Sequence, residues 1–554
     1  MPESVVNELG TFFAVRTRSA SRQIVIPCFL LALYAAQCGW FVRTQSLTYD
    51  EPMHITEGLD AWRNGRFQDF VDNPPLGRLL CTLLLRDPKW QVDLELLPAG
   101  FRLHRALPDP VKLATRARTL NVVLGVLLGV VLWRAAATMF SISAANFALA
   151  LFAFCPSLIA HFSLATTDGI ATVMIFLTAV QVLRWRQRPT WQNGLLCGIV
   201  LGALLLSKFS AVPMFVLAMF CMLALAPEGL AFDVRKWKWA KAAVALLVAF
   251  LIVWAGYFFH ISRVTIRDGV FTASHPHWTA PLVKPTRSKL NISVPIPAGE
   301  FIAGLREVAL HNARGYPAFF LGGVSKRGGW KAYYPVTILM KWPVIMLALA
   351  VVGFALCGLR RKADPQAFWI LVSFPAAYFL IAMFSHFNIG ERHILPLYPF
   401  GLLFAAAVWQ RFSRMRFGRG LLILLLALNA ADALRYAPDY LSYFGIFVPP
   451  PSSYRLLADS NLDWGQGLLA LRKYEAEHPN ENISLAYFGS VDPAAYGVYG
   501  RALGENERAR GTVVVSATNL AGEYLKDPNA YRWLLGYRRI AILDHSLFVF
   551  QVDH

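Results

Sequence analysis

The first residues in the sequence that could support chemistry are two adjacent carboxylates, Asp50 and Glu51, directly after the first hydrophobic run. They stand in the segment Thr48-Tyr49-Asp50-Glu51-Pro52. Carboxylates at the mouth of a bundle of membrane helices are costly to desolvate, so a pair there favours a site that binds or deprotonates a ligand. The alternative is a solvated loop that turns at Pro52, and the local sequence leaves both interpretations open.

Three further charged residues, Asp168, Lys208 and Arg392, lie where later apolar runs begin or end. Each has a purely structural alternative. Asp168 can cap a helix, Lys208 can extend its ammonium group to the membrane surface, and Arg392 can pair with a neighbouring carboxylate, that of Glu391 or Asp50. Taken together, two cations and several carboxylates at one depth suit a phosphate leaving group beside a hydroxyl that must lose its proton.

The elements that must position these residues are membrane helices. Of the 554 residues, 56% are hydrophobic and 16% are charged, and the apolar runs are too long for a soluble core. The net charge of +19 does not indicate nucleic-acid binding, because the basic residues cluster between apolar runs. The first run follows Arg16, Arg18 and Arg22, which predicts a signal anchor.

Eleven apolar runs are predicted to span the membrane. They lie near residues 24–42, 119–138, 145–161, 168–185, 191–209, 211–227, 240–260, 334–358, 366–386, 393–410 and 419–436. We therefore expect an α-helical polytopic membrane protein.

The orientation follows from the basic loops. With a cytoplasmic N-terminus, alternate loops should be rich in Lys and Arg, and four such loops fall on the cytoplasmic side. Their basic residues are Arg184, Arg186, Arg188, Arg235, Lys236, Lys238, Lys241, Arg360, Arg361, Lys362, Arg411, Arg414, Arg416 and Arg419. Lys208 and Arg392 are exceptions on the far side, at the level of Asp50, and their placement favours a bound anion.

Three large segments then lie on the outer face: residues 43–118, residues 261–333 and the chain after about 437. The first is predicted to contain an interfacial helix around Pro52 to Asn64 and a second helix that starts at Asp72-Asn73-Pro74-Pro75. The chain thus divides into a transmembrane module, 1–436, and a small non-cytoplasmic soluble α/β domain, 437–554. In that domain we expect a helix near Leu468 to Glu477 and strands at Gly511 to Ala517 and Arg539 to Asp544.

Neither disulfides nor a cysteine metal site are indicated. The seven cysteines show no CxxC spacing. His54, four residues after Asp50, and the segment His275-Pro276-His277 leave a divalent metal ion open as a cofactor. A histidine pair in a proline-rich loop is more often solvated or structural, so we predict that no metal is required.

The order of these residues resembles the GT-C membrane glycosyltransferases, and within them the protein O-mannosyltransferase and lipid A aminoarabinose transferase group. The resemblance rests on Asp50-Glu51 in the first outer loop, Pro74-Pro75 opening a helix, Asp168 at the outer start of the fourth span and Lys208 at the end of the fifth. Segments 328–335, 388–399 and 457–466 are also similar, and the resemblance covers about residues 24–470.

The resemblance implies an enzyme that transfers a sugar from a polyprenyl-phosphate donor to a hydroxyl of a protein, lipid or glycan acceptor. The implied location is a bacterial inner membrane, with the site facing the periplasm or exterior. Asp50 would be the general base, with Glu51 and Asp168 shaping the catalytic pocket beside it. Lys208 and Arg392 would bind the donor phosphate. Membrane lipids are expected partners and nucleic acid is not.

One departure from the group concerns the residues before the two prolines. Aminoarabinose transferases have Glu-Lys there, where this chain has Asp72-Asn73, so a cation is missing. Arg78, one helical turn further, could replace it at the donor phosphate, and aminoarabinose is not the expected sugar. We assign Asp72, His54 and His393 to the substrate pocket.

A transporter or flippase of lipid-linked sugars is the alternative from another class. Transporters usually show two related halves and functional charges near the membrane midplane. This sequence has no evident internal repeat, and its charges gather at the outer mouth of the bundle. A scaffolding protein would leave Lys208 and Asp168 without a role.

Overall fold

The computed structural model describes residues 20–67, 72–87, 89–90, 93–97, 100–104, 109–225, 239–267, 270–275, 278–283, 292–359 and 365–553. The predicted cytoplasmic residues Arg235, Lys236, Lys238, Arg360, Arg361 and Lys362 lie outside these ranges, as do Arg16, Arg18, Pro276 and His277.

The described chain is mostly helical. The first nine helices are α1 (Ala20–Thr44), α2 (Glu51–Asn64), α3 (Pro75–Thr82), α4 (Pro110–Met139), α5 (Ile142–Ala153), α6 (Pro156–Phe162), α7 (Asp168–Gln187), α8 (Trp191–Leu205) and α9 (Ala211–Leu225). The others are α10 (Trp239–Gly256), α11 (Gly299–Arg314), α12 (Tyr333–Lys341), α13 (Val344–Leu359), α14 (Pro365–Phe384), α15 (Leu397–Phe412), α16 (Gly418–Leu434), α17 (Leu468–Glu477) and α18 (Ala517–Ala521).

Within the described residues, five helices are long and apolar enough to cross a membrane: α1, α4, α7, α10 and α14. Two bent pairs, α5 with α6 and α12 with α13, raise the number to seven if each pair is one span. The protein is therefore an integral membrane protein. Each of the eleven predicted runs contains a helix, but several of these helices are short, so a count of eleven spans is not confirmed.

The two bends have a chemical cause. The chain turns by 66° between α5 and α6, where Pro156 begins the second helix, and by 116° between α12 and α13, where Pro343 separates them. Proline cannot donate a backbone hydrogen bond and its ring clashes with the preceding turn of a helix. These breaks place polar ends of helices inside the bundle, where they can serve a site.

The strands form four sheets in the described residues. The C-terminal region has a five-stranded mixed sheet in the order β10 (Arg501–Ala502), β9 (Ile483–Ala486), β11 (Gly511–Ser516), β13 (Leu547–Val552), β12 (Arg538–Leu543). The segment after α10 has a four-stranded antiparallel sheet in the order β5 (Trp278–Val283), β4 (Val270–His275), β3 (Ile261–Arg267), β6 (Ile292–Pro297). Two hairpins pair β1 (Asp93–Leu97) with β2 (Gly100–His104) and β7 (Ala318–Phe320) with β8 (Gly323–Ser325).

The C-terminal sheet packs directly on the first outer segment. Ile55 and Leu59 of α2 share a hydrophobic core with Leu468 of α17 and with Leu485 and Val514 of the sheet. Backbone bonds join the same regions, from Ser46 N to Gln466 O (2.9 Å) and from Tyr49 N to Trp464 O (2.8 Å). The segment that carries Asp50 is therefore held between the helical bundle and the residues that lead into the C-terminal sheet.

Candidate active site

Asp50 is presented by the start of α2. It occupies the N-cap position, but its side chain makes no cap hydrogen bond, and Pro52 fixes the first turn of the helix. The carboxylate is therefore free to face the bundle. Its Oδ2 lies 2.6 Å from Arg392 Nη1, and the side chains of Asp50 and Arg392 are 23% and 10% exposed. The pair is largely desolvated yet still reachable from one side.

Arg392 is positioned from several directions. Its guanidinium carbon lies 4.2 Å from the centre of the Trp464 ring, a cation–π contact. It belongs to a short 3₁₀ turn, Glu391–Ile394, that follows Gly390. Gly390 has φ of 112°, and a Cβ there would collide with Ser460 Oγ, so only glycine allows this approach. Trp464 thus joins the Arg392 side chain to the backbone beside Asp50.

Glu51 does not share the environment of Asp50. Its side chain is fully buried, and its oxygens accept bonds from Arg118 Nε (2.8 Å), Arg118 Nη2 (2.7 Å) and the Ala165 backbone N–H (2.7 Å). The Thr48 N–H and hydroxyl also donate to it, at 2.7 and 3.1 Å. A carboxylate saturated in this way holds the loop in place. The predicted role of Glu51 in the catalytic pocket is therefore corrected to a structural one.

A second ion pair joins Asp168 and Lys208. Asp168 Oδ1 lies 2.5 Å from Lys208 Nζ, with side-chain exposures of 4% and 13%. Asp168 is the first residue of α7 but makes no cap bond there, because Thr167 occupies the N-cap. Lys208 stands in the turn between α8 and α9. Asp168 and Lys208 are therefore partners of each other, and neither acts through a helix cap or an exposed ammonium group alone.

Arg78 forms a third group on α3. Its Nη2 lies 2.9 Å from Asp72 Oδ1, its Nη1 lies 3.8 Å from Glu57 Oε2, and its Nε donates to His54 Nδ1 at 3.4 Å. Asn73 accepts a bond from Thr167 Oγ1 at 3.2 Å, next to Asp168. Arg78 therefore lies close to the segment Asp72-Asn73, and Asn73 holds Thr167, the residue before Asp168.

The three groups lie within electrostatic reach of one another. Burial raises the pKa of Asp50, the Arg392 guanidinium opposes this rise, and the carboxylates of Asp72 and Asp168 add to it. Burial and the cation Arg78 lower the pKa of His54 well below its ordinary value, and Arg392 and Lys208 contribute to this shift. Eight of the nine predicted site residues are therefore in one cluster, from which Glu51 is separate.

His393 completes the cluster. Burial lowers the pKa of its imidazole, and Lys208 and Arg392 lower it further. Its ring stacks on Phe387 with the centroids 6.3 Å apart. Because both His54 and His393 have depressed pKa values, both are neutral imidazoles at physiological pH. They can donate or accept hydrogen bonds to a sugar, but they add no positive charge to the site.

Asp459 and Asp463 are acidic residues of the site that the sequence did not reveal. Burial raises the pKa of each carboxyl to about 7. For Asp459 the Arg392 guanidinium counteracts the rise and the Asp50 carboxylate adds to it, so Asp459 adjoins the same pair. Asp459 also has a φ of 52°, in the left-handed region that non-glycine residues rarely adopt. Asp459 and Asp463 both belong to segment 457–466, one of the segments on which the resemblance rests.

A buried network behind Arg392 was also not predicted. Lys341 Nζ lies 3.3 Å from Glu391 Oε1, and both side chains are at most 1% exposed. Glu391 Oε2 accepts bonds from Ser157 Oγ and the Tyr398 hydroxyl, each at 2.8 Å. These bonds fix the residue immediately before Arg392. The sequence signal that could have revealed Lys341 is a single charged residue inside an apolar run, directly before Trp342-Pro343.

Half-buried aromatic rings continue from the cluster along one side. Tyr49 stacks on Phe488 at 5.3 Å, Phe488 stacks on Tyr524 at 5.3 Å, and Tyr524 meets Tyr316 edge to face at 6.2 Å. We call Tyr49, Phe488, Tyr524 and Tyr316 the aromatic row. It begins at the residue before Asp50, so a molecule lying on it would reach the Asp50 carboxylate.

No group of three or more His, Cys, Asp or Glu side chains that could hold a metal ion occurs within the described part of the chain. His54, which the sequence raised as a possible ligand, accepts a bond from Arg78 instead. The side chain of His275 and the whole of His277 lie outside the description.

Comparisons with known proteins agree with this architecture. The family model of dolichyl-phosphate-mannose-protein mannosyltransferases matches residues 112–254. The structure of the S. cerevisiae protein O-mannosyltransferase Pmt1-Pmt2 complex bound to the sugar donor is similar with a TM-score of 0.52 and 12% identity, over 77% of this chain and 90% of that chain. No curated protein matches the sequence.

A second solved structure covers nearly the whole molecule. ArnT from Cupriavidus metallidurans bound to undecaprenyl phosphate is similar with a TM-score of 0.50 and 12% identity, over 96% of this chain and 98% of that chain. The predicted resemblance to the protein O-mannosyltransferase and aminoarabinose transferase group is therefore confirmed, and the chain has the GT-C fold of the membrane glycosyltransferases.

Proposed function

We propose that the protein transfers a sugar from a polyprenyl-phosphate donor to an acceptor hydroxyl on the non-cytoplasmic face of a membrane. The observation that carries the proposal is the Asp50–Arg392 pair, a base and a phosphate-binding cation in contact at 2.6 Å in a largely desolvated site. The second cation, Lys208, lies within electrostatic reach of Arg392. Base and cations are the groups that such a displacement requires.

The reaction needs one proton transfer and one bond exchange. Asp50 takes the proton of the acceptor hydroxyl while the oxygen of that hydroxyl attacks the anomeric carbon of the donor sugar. The bond from that carbon to the phosphate oxygen breaks, and its electron pair leaves with the polyprenyl phosphate. Arg392 and Lys208 bind the added negative charge of the leaving phosphate. A direct displacement of this kind inverts the configuration at the anomeric carbon.

The choice of Asp50 as base follows from the neighbouring carboxylates. Asp50 and Asp168 are each paired with a cation, but the Asp168 side chain is only 4% exposed. Asp459 is buried and has a pKa of about 7, so a large fraction of it is protonated near neutral pH. Asp50 has 23% of its side chain exposed and directly follows Tyr49 of the aromatic row. Tyr49, Phe488 and Tyr524 stack on one another, so the row offers ring edges and tyrosine hydroxyls, which suit the mixed polar and apolar surface of a sugar.

The orientation is supported by the two ends of α7. Asp168 of the cluster begins this helix, and Arg184, Arg186 and Arg188 lie at its other end. Arg411, in the last turn of α15, and Arg414, just after it, lie at the same end of the bundle. Cytoplasmic loops carry the excess of basic residues, so the cluster belongs on the opposite face. In a bacterial inner membrane that face is the periplasmic one, which is the location we propose.

Solved relatives support the class of donor. The ArnT structure contains undecaprenyl phosphate and the Pmt1-Pmt2 complex is bound to its sugar donor. We infer that this chain uses a lipid-linked donor of the same chemical kind. The sugar and the acceptor remain to be found by experiment, since one or two pocket groups can decide between sugars.

The test uses the purified full chain with a panel of polyprenyl-phosphate hexose and pentose donors and peptide, lipid and oligosaccharide acceptors. Mass spectrometry would detect the glycosylated acceptor and the released polyprenyl phosphate in equal amounts. Asp50→Asn protein, which keeps the side-chain shape, is the negative control. If proteoliposomes moved a lipid-linked sugar across the bilayer without transferring it to any acceptor, the flippase alternative would replace the proposal.

A further inference from the structure

A cavity of about 740 Å³ lies at the end of the bundle away from the active-site cluster, between α4, α7, α14 and α15. Its walls are mainly apolar and include Val131, Leu183, Leu371 and Phe404. Four arginines also line it: Arg134, Arg184, Arg188 and Arg411. None of the described lining residues is acidic. The cavity thus combines apolar walls with a concentration of positive charge.

This cavity is separate from the proposed catalytic site. Asp168 begins α7 and Arg184 lies sixteen residues further on the same helix. At 1.5 Å per residue, the two are about 24 Å apart along the helix axis. A donor phosphate held by Lys208 and Arg392 therefore cannot also contact the arginines of the cavity.

The arginines come from three different helices or their ends and converge on one space. Arg134 lies in α4, Arg184 in α7 and Arg411 in α15, while Arg188 follows α7. Arg134 and Arg184 are close enough for their charges to repel each other. Guanidinium groups bind phosphate in a bidentate way and are the preferred cations for that purpose.

We propose that this cavity binds an anionic phospholipid, with its phosphate between the arginines and an acyl chain along the apolar walls. Basic pockets between membrane helices on the cytoplasmic side are suited to acidic lipid headgroups. A soluble phosphate would use the arginines but leave the apolar walls without a partner. In the proposed orientation the cavity lies at the cytoplasmic ends of the helices, at the level of the lipid headgroups. This position favours the lipid as the source of the phosphate.

The experiment measures lipid binding to the purified, delipidated full chain by native mass spectrometry. Phosphatidylglycerol and phosphatidylcholine with identical acyl chains are added in equal amounts. We expect phosphatidylglycerol to bind preferentially to the wild type. Arg134→Gln combined with Arg184→Gln should weaken this binding by at least about tenfold, since each charge-assisted contact to phosphate is worth that much or more.

Two further variants separate the lipid site from general charge and from folding. Arg186→Gln removes a cation from the same end of α7 that does not line the cavity, and it should bind phosphatidylglycerol as the wild type does. Ala407→Trp keeps all four arginines but fills part of the cavity, because Ala407 lies in its wall. This variant should no longer bind the lipid. It should still bind inorganic phosphate, which we would measure as a rise in thermal stability.

Equal binding of the two lipids to the wild type would overturn the proposal. So would unchanged phosphatidylglycerol binding in the double arginine variant, or in Ala407→Trp. If inorganic phosphate competed with phosphatidylglycerol at similar concentrations, the site would belong to a soluble anion. Because none of these variants changes a residue of the catalytic cluster, the result is independent of the proposed transfer reaction.

Discussion

Replacing Arg392 by glutamine tests the central pair of the site. The change removes the contact of 2.6 Å to Asp50 and the cation–π contact of 4.2 Å to Trp464, and it leaves a shorter, uncharged polar side chain. A charge-assisted hydrogen bond to a phosphate or carboxylate is worth about 1.5–3 kcal/mol. Loss of the contact to the donor phosphate should therefore lower kcat/KM for the donor by about 10- to 150-fold.

The pH dependence of the same variant separates a catalytic role from a structural one. Burial raises the pKa of Asp50, and Arg392 holds it lower than burial alone would. Removing the guanidinium therefore raises the pKa of Asp50. A general base must be deprotonated, so the acid limb of the pH profile of kcat/KM should move to higher pH in Arg392→Gln. An arginine that only stabilised the fold would not move this limb.

The assay is the release of polyprenyl phosphate from a radiolabelled donor, measured from pH 5 to 9 with saturating acceptor. Arg501→Gln is the matched control, since Arg501 forms an exposed pair with Glu507 at 3.5 Å and should change the rate by less than about twofold. An unchanged acid limb in a folded Arg392→Gln protein would refute the assignment of Asp50 as the base that Arg392 controls. A defect in acceptor use alone would refute the phosphate role.

Four other predictions follow from the same structure. Asp50→Asn should lower transfer by about 10²–10⁴ while donor binding, measured by competition with polyprenyl phosphate, is kept. Glu51→Gln should instead lower stability by about 3 kcal/mol, seen as faster thermal inactivation, because it leaves the Arg118 charge buried without its carboxylate. Tyr524→Ala should raise the KM for the acceptor or the sugar portion several-fold with donor-phosphate binding unchanged, in steady-state kinetics. Burial raises the pKa of Asp463 in the folded protein to about 7, so its contribution to stability is complete below its unfolded pKa and is lost as pH rises through 7. Asp463→Asn should therefore reduce the dependence of the melting temperature on pH across that interval.

The sequence predicted most members of the charged cluster because these residues stand at ends of apolar runs. Asp168 and Lys208 each mark one end of such a run, and the structure brings them within 2.5 Å of each other. The helices α2, α3 and α17 also lie where turn signals and periodicity place them. A charge beside an apolar run is costly to bury without a partner, so its position indicates a site even when its partner is unknown.

The pairing itself could not be read from the sequence. Asp50 and Glu51 are neighbours, yet one faces the site and the other binds Arg118, sixty-seven residues away. Adjacent side chains on a helix point in different directions, and which of them meets a distant cation depends on tertiary packing. The pairing of Lys341 with Glu391 was missed for the same reason. Lys341 looks isolated in the sequence and Glu391 looks like a partner of its neighbour Arg392, yet the charges of Lys341 and Glu391 meet inside the bundle.

The pairing of Arg392 and Lys208 with carboxylates of the chain bears on the order of binding. An unpaired buried charge is expensive, so a desolvated phosphate site must hold its cations on its own carboxylates until a donor arrives. When the donor phosphate binds the Arg392 guanidinium, it replaces the Asp50 carboxylate as the negative partner of that cation. The exchange therefore costs little free energy of charge separation. The same exchange releases the Asp50 carboxylate, and its proton affinity rises because the cation that lowered it now neutralises phosphate. Asp50 is therefore fully active as a base only after the donor is bound. This favours donor binding before deprotonation of the acceptor, so the acceptor hydroxyl is not activated when there is no sugar for it to attack.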